Sequence, residues 1–261
     1  MAKALTCGGL ALPALLALVL GPGPFAVVLT LIAVVALVDL TGVLSRAAAR
    51  PILPAALVPA VGLPVTVGVR PDLGWDVVPL FVAAGFLVTF LFALLFGRRR
   101  GIVQGAGTTV LAGLIVGLGA ASLVLLRGLP GGFRWVLAFG LIAAAADLGG
   151  PVVSALRARR GSDHPGEGGL AAGVLAAVVT AAVLLLALRP TLSPPVAGLL
   201  TLIALTATLG AADLHRGLVA EADIEAPLDR SRLGDGVVFG LLDGLLIGAP
   251  IAYILARSAV L

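Results

Sequence analysis

Between Lys3 and Asp39 the chain has no Asp, Glu, Lys or Arg, and comparable uncharged runs recur along all 261 residues. That patterning constrains the fold more than any motif. About 20 consecutive apolar residues wound as a helix cross the roughly 30 Å hydrocarbon core of a bilayer. Runs of that kind lie at about 7–20, 25–44, 51–69, 77–96, 103–126, 135–156, 168–188, 196–215 and 237–256. The reading is an all-α, polytopic integral membrane protein with about nine transmembrane helices, or eight if the short first segment does not cross. Composition agrees: 60% of residues are hydrophobic and 11% charged, with mean hydropathy +1.18. A soluble domain carries about a quarter charged residues. The short alternating segments of a β-barrel are missing from the sequence.

Pro54, Pro59 and Pro64 fall in the third run and predict an irregular or kinked helix there. No linker or fixed-period repeat divides the chain, so 1–261 reads as one transmembrane domain, with N-terminal helices over 7–126 and C-terminal helices over 135–256. One cysteine, Cys7, excludes a disulfide framework and a cysteine metal site. The pI near 10.5 accompanies a net charge of only +4, and the basic residues sit in short loops. They read as topology signals and contacts to the lipid bilayer; no nucleic acid is implied. Trp75 and Trp135, at predicted span ends, read as interface anchors.

Basic residues concentrate on cytoplasmic loops. Nine crossings put only Arg70, Arg127, Arg134, Arg189 and Arg257 of the 17 Lys and Arg on the outer side. The N-terminus is therefore expected in the cytoplasm and the C-terminus outside, in the cell membrane. The polar loops 157–167 and 214–236 then face the cytoplasm.

Ionisable groups inside spans are costly, about 2.5 to 3.5 kcal/mol for an Asp at a helix centre, and mark function by default. Asp147, Asp213 and Asp243 come from three different predicted spans, each within about two turns of the cytoplasmic face. Asp39 sits at the cytoplasmic end of the second span. The plain alternative is that each carboxylate reaches the interface or pairs with Arg157 or Arg216. Magnesium takes one or two carboxylates together with substrate phosphates. A carboxylate cluster beside arginines therefore fits a metal-bound nucleotide, although no phosphate-loop pattern occurs. An unrelated transporter explains intramembrane carboxylates too, but the Pro-rich third span has no counterpart in the second half.

The order of these pieces resembles the phosphatidate cytidylyltransferase family, membrane enzymes that make CDP-diacylglycerol from CTP and phosphatidic acid. "AADLGGPVVSALRARRG" resembles the family's Asp-Thr-Gly-Ala segment and the basic stretch after it. "EGGLAAGVLAAVV" resembles the helix after its Ser-Pro-Lys-Lys-Thr-Trp-Glu-Gly loop, with Glu167 on the glutamate. "LGAADLHRG" resembles its Gly-Asp-Leu-x-Glu-Ser step, and "GDGVVFGLLDGLLIGAPIAYIL" its terminal His-Gly-Gly-x-x-Asp-Arg-x-Asp-Ser-Leu-Leu signature.

The resemblance implies Asp213 and Asp243 as ligands of Mg2+ and Asp147 as a third acidic group of the catalytic site. Arg157, Arg159, Arg160, Arg216, Arg230 and Arg232, with Glu167, would meet the substrates, CTP and a lipid phosphate. A homodimer is implied as well. The chain departs from the signature where Asp235 replaces its His and Gly240-Leu241 its Asp-Arg pair, and Lys3 is the only lysine. A non-catalytic relative that binds lipid, nucleotide or a partner is the alternative.

Overall fold

The structure is a computed structural model, described over residues 12–47, 51–96, 102–159, 169–187, 193–221, 236 and 238–260. The elements are α1 (residues 12–20), α2 (Pro22–Arg46), α3 (Leu53–Val69), a 3-10 turn (Pro71–Leu73), α4 (Val78–Leu95), α5 (Ile102–Gly128), α6 (Gly132–Arg159), α7 (Gly169–Ala187), α8 (Pro194–Glu221) and α9 (Phe239–Val260). No strand occurs among the described residues.

Each expected apolar run contains one helix, and prolines mark several starts. Pro22, Pro54, Pro79 and Pro194 stand in the first turns of α2, α3, α4 and α8, where a missing N–H is harmless. Gly21, at φ +128°, is the one-residue break between α1 and α2.

Six helices among the described residues, α2, α4, α5, α6, α8 and α9, are long and apolar enough to cross a membrane. The apolar stretches Leu53–Val69 and Ala171–Ala187 are shorter. The described part of α1 rises only about 13 Å, less than half a hydrocarbon core. Large apolar side chains face outward, among them Leu87, Leu94 and Val103 at 71%, 79% and 79% exposed. Such a surface is stable in hydrocarbon and not in water. The chain is a helical membrane protein.

Helix α5 is the centre. Of its apolar span 78% is buried, against 17% for α4 at the periphery. It packs on α2, α3, α4, α6 and α9. Small residues permit this. A Cβ at Gly113 would stand 2.5 Å from the Ala56 carbonyl oxygen, and one at Gly119 2.5 Å from that of Leu246. In a bilayer such backbone approach supplies the packing that apolar burial supplies in water.

Helix α3 runs unbroken through Pro59 and Pro64. The Pro59 ring lies against Gly85 of α4 and Gly113 of α5. The start of α3 is held by the Ile52 N–H, which donates to Thr109 Oγ1 of α5 at 2.8 Å. Trp135 is 2% exposed, a core residue and not an interface anchor. Trp75 lies in the α3–α4 turn against Tyr253.

Candidate functional site

The first residues of α9 bring no capping side chain of their own, since Val238 precedes Phe239. Their backbone donors turn to another helix. Asp39 of α2, wholly buried, accepts the Gly236 N–H on Oδ1 at 3.1 Å, and the Val238 and Phe239 N–H on Oδ2 at 2.7 and 2.9 Å. Gly236 adopts φ +81°, which turns its N–H toward the same carboxylate. A carboxylate at a helix N-terminus meets both the orphan donors and the positive end of the macrodipole. This interaction places the start of α9, and therefore Asp243 one turn further on.

Asp243 is 4% exposed, and its Oδ1 accepts the Gly244 N–H at 2.6 Å. The next residue, Gly244, lies against α8, where a Cβ would stand 2.7 Å from Thr208 Oγ1. Other buried hydroxyls in these helices bond carbonyls one turn back, as Thr30 does to Ala26 and Thr201 to Ala197, both at 2.7 Å. The Thr208 Oγ1 has no hydrogen-bond partner among the described residues, although the residue is only 5% exposed.

Asp147, Thr208 and Asp243 line one cavity of about 360 Å3 between α1, α2, α5, α6, α8 and α9. The rest of its lining is apolar, including Leu18, Phe25, Leu29 and Ile32. Along α6 the wall runs from Val136 to Leu148, about 18 Å, somewhat more than half the thickness of a hydrocarbon core. Asp147 stands at the end of that wall, so the groove is apolar for most of its length and acidic at one end.

The structure thus brings together two of the three expected aspartates. Asp213 is exposed on α8 and is not part of the cavity wall. It lies about 7 Å along α8 from Thr208, toward the segment that leads to α9. Arg157 and Arg159 fall at the end of α6 and Arg216 on α8, with side chains outside the described residues. Arg160, Glu167, Arg230 and Arg232 also lie outside them.

No group of three or more His, Cys, Asp or Glu suited to a metal occurs among the described residues. Asp147 and Asp243 are the two carboxylates that line the cavity.

The sequence reading missed Asp39's part in this site. The signal was a carboxylate in an apolar helix together with a helix start that has no polar cap.

No protein-family model matches the chain, and neither a curated protein nor a solved structure does.

Proposed function

We propose that this chain is a phosphatidate cytidylyltransferase-like protein of the cell membrane, which joins CTP to a lipid phosphate and releases pyrophosphate. The observation that carries the reading is the buried Asp243, which lines, together with Asp147, an apolar groove long enough for a lipid tail. An amphiphile fits such a groove with its chain along α6 and its polar group at the carboxylates.

In the proposed arrangement nine segments cross, with the N-terminus cytoplasmic, the C-terminus outside and the acidic end of the groove toward the cytoplasm. The bias of basic residues toward one set of loops supports it.

In the reaction a lipid phosphate oxygen bonds to the α-phosphorus of CTP as the bond to pyrophosphate breaks. Carboxylates alone repel phosphate. A magnesium ion held by Asp147 and Asp243 would neutralise charge developing on the phosphoryl oxygens. Asp213, on the exposed end of α8, is assigned to the nucleotide side of the site and to metal binding there. Arg157, Arg159, Arg160, Arg216, Arg230 and Arg232, with Glu167, belong to the cytoplasmic segments and are assigned to the phosphates and the nucleotide. Arginine suits that task through paired N–H donors. The resemblance to the family adds a homodimer.

One observation favours a second reading, a non-catalytic lipid-binding relative: no Lys or Arg lines the described cavity.

Gly140 tests the cavity itself. It lines the groove, and a Cβ there would meet nothing within 4 Å, so Gly140→Phe fills the groove without a clash at the helix backbone. Native mass spectrometry with dioctanoyl phosphatidic acid and magnesium should show one bound lipid on the wild type and loss of that species in Gly140→Phe. Equal lipid binding by both proteins would overturn the placement.

A further inference from the structure

A second cavity, of about 450 Å3, lies at the other end of α9, between its last turns and the residues that join α3 to α4. Arg257 on its wall is 14 residues beyond Asp243, about 21 Å along the helix axis, so this cavity is separate from the acidic groove. Its character is different too. Trp75 and Tyr253 form an aromatic wall, with ring centroids 5.8 Å apart and planes tilted by 43°. Asp72, Asp76, Arg257 and Ser258 complete the polar side.

The charges in this cavity are not all used up. Asp72 is paired with Arg70, whose Nε and Nη2 donate to the carboxylate at 3.0 and 2.9 Å. Asp76 and Arg257 line the same cavity, are exposed, and make no side-chain hydrogen bond or ion pair with any described residue. Aromatic faces beside a carboxylate are the environment that holds an alkylammonium or quaternary ammonium group. A guanidinium with its donors open to solvent is suited to a phosphate. A ligand with only one charge would leave the opposite group facing it without a partner, whereas a zwitterion satisfies both.

The geometry points to a binding site for a phosphate–ammonium zwitterion of the phosphocholine or phosphoethanolamine type, with the ammonium against Trp75, Tyr253 and Asp76 and the phosphate on Arg257. The site lies where α9 ends and α3 passes into α4. The same chemistry is offered by a membrane phospholipid and by a soluble glycerophosphodiester.

Intrinsic fluorescence reads the site. The chain has two tryptophans, and only Trp75 lines this cavity. The protein is placed in phosphatidylglycerol nanodiscs and titrated with sn-glycero-3-phosphocholine; separately, phosphatidylcholine is added to the nanodisc in increasing mole fraction. The expected result is a saturable change in at least one arm. It should vanish in Trp75→Phe and weaken at least about tenfold in both Asp76→Asn and Arg257→Gln. Both substitutions fall on exposed side chains, and an unchanged melting temperature checks the fold. Saturation in the lipid arm alone assigns the site to a membrane lipid, and in the soluble arm to a free diester. No saturable change in either arm overturns the proposal. So does equal binding of choline chloride that is indifferent to Arg257→Gln, which would make this a cation site only.

Discussion

The Asp39 carboxylate accepts the Phe239 N–H at 2.9 Å across 200 positions of sequence. Two further N–H groups share the same side chain, so a single buried residue of α2 fixes where α9 begins. Breaking such a bond set leaves buried donors without partners. Asp39→Ala is therefore expected to destabilise the protein by several kcal/mol, about 1–3 kcal/mol for each buried N–H left without an acceptor. Asp39→Asn keeps an acceptor and should lose less. Unfolding midpoints in nanodiscs give the order wild type, Asn, Ala; an Ala variant as stable as the wild type would remove Asp39 from this role.

The α3–α5 contact gives a second expectation. A Cβ at Gly117 would lie 2.2 Å from the Pro59 carbonyl oxygen, a backbone atom that cannot swing aside. Gly117→Ala should destabilise by about 1–3 kcal/mol, as overpacked cores do. Gly107 on the same helix is exposed, with nothing within 4 Å, and Gly107→Ala should be neutral or slightly stabilising through helix propensity. Thermal unfolding of the two variants side by side checks the contrast. Equal effects would mean that the close approach does not govern stability.

The Arg70–Asp72 pair makes a prediction about pH. Its hydrogen bonds from Arg70 hold the Asp72 carboxyl below its ordinary 3.8. A carboxyl whose pKa falls on folding adds stability that is fully present above the unfolded pKa and is lost as pH drops through the folded one. The difference in melting temperature between wild type and Asp72→Asn should therefore be constant from neutral pH down to about 5. It should shrink below pH 4. Both side chains are exposed, so the difference should be small and should fall with added salt. A difference that grows in acid would contradict the assignment.

The acidic groove separates the aspartates by role. Asp147→Asn and Asp243→Asn should each reduce magnesium-dependent retention of phosphatidic acid by at least about tenfold. Asp213→Asn, changed on an exposed side chain outside the cavity, should leave lipid retention within about twofold and act on CTP instead. Lipid binding measured by native mass spectrometry across the three variants decides this. Loss of lipid in Asp213→Asn alone would reverse the assignment.

Much of the architecture was legible in the sequence because hydrocarbon thickness sets helix length. Each expected segment contains a helix, and two of the three candidate aspartates, Asp147 and Asp243, line one cavity. Hydropathy reads composition and not position, which is why it could not separate the enclosed α5 from the peripheral α4. It also could not tell a tryptophan at a span end from Trp135 in the core. The placement of Asp213 was hidden for a related reason. Similar depth in the membrane says nothing about which way a side chain faces around its helix. The role of Asp39 stayed hidden because its partners are backbone N–H groups, which no sequence pattern displays.

The most direct measurement of the central claim is conversion of labelled CTP and dioctanoyl phosphatidic acid by the purified protein in nanodiscs, beside Asp243→Asn and Gly140→Phe. CDP-lipid and pyrophosphate are expected in equal amounts, formed only with magnesium, abolished in Asp243→Asn and strongly reduced in Gly140→Phe. A folded wild type that neither binds CTP nor forms CDP-lipid would contradict that claim.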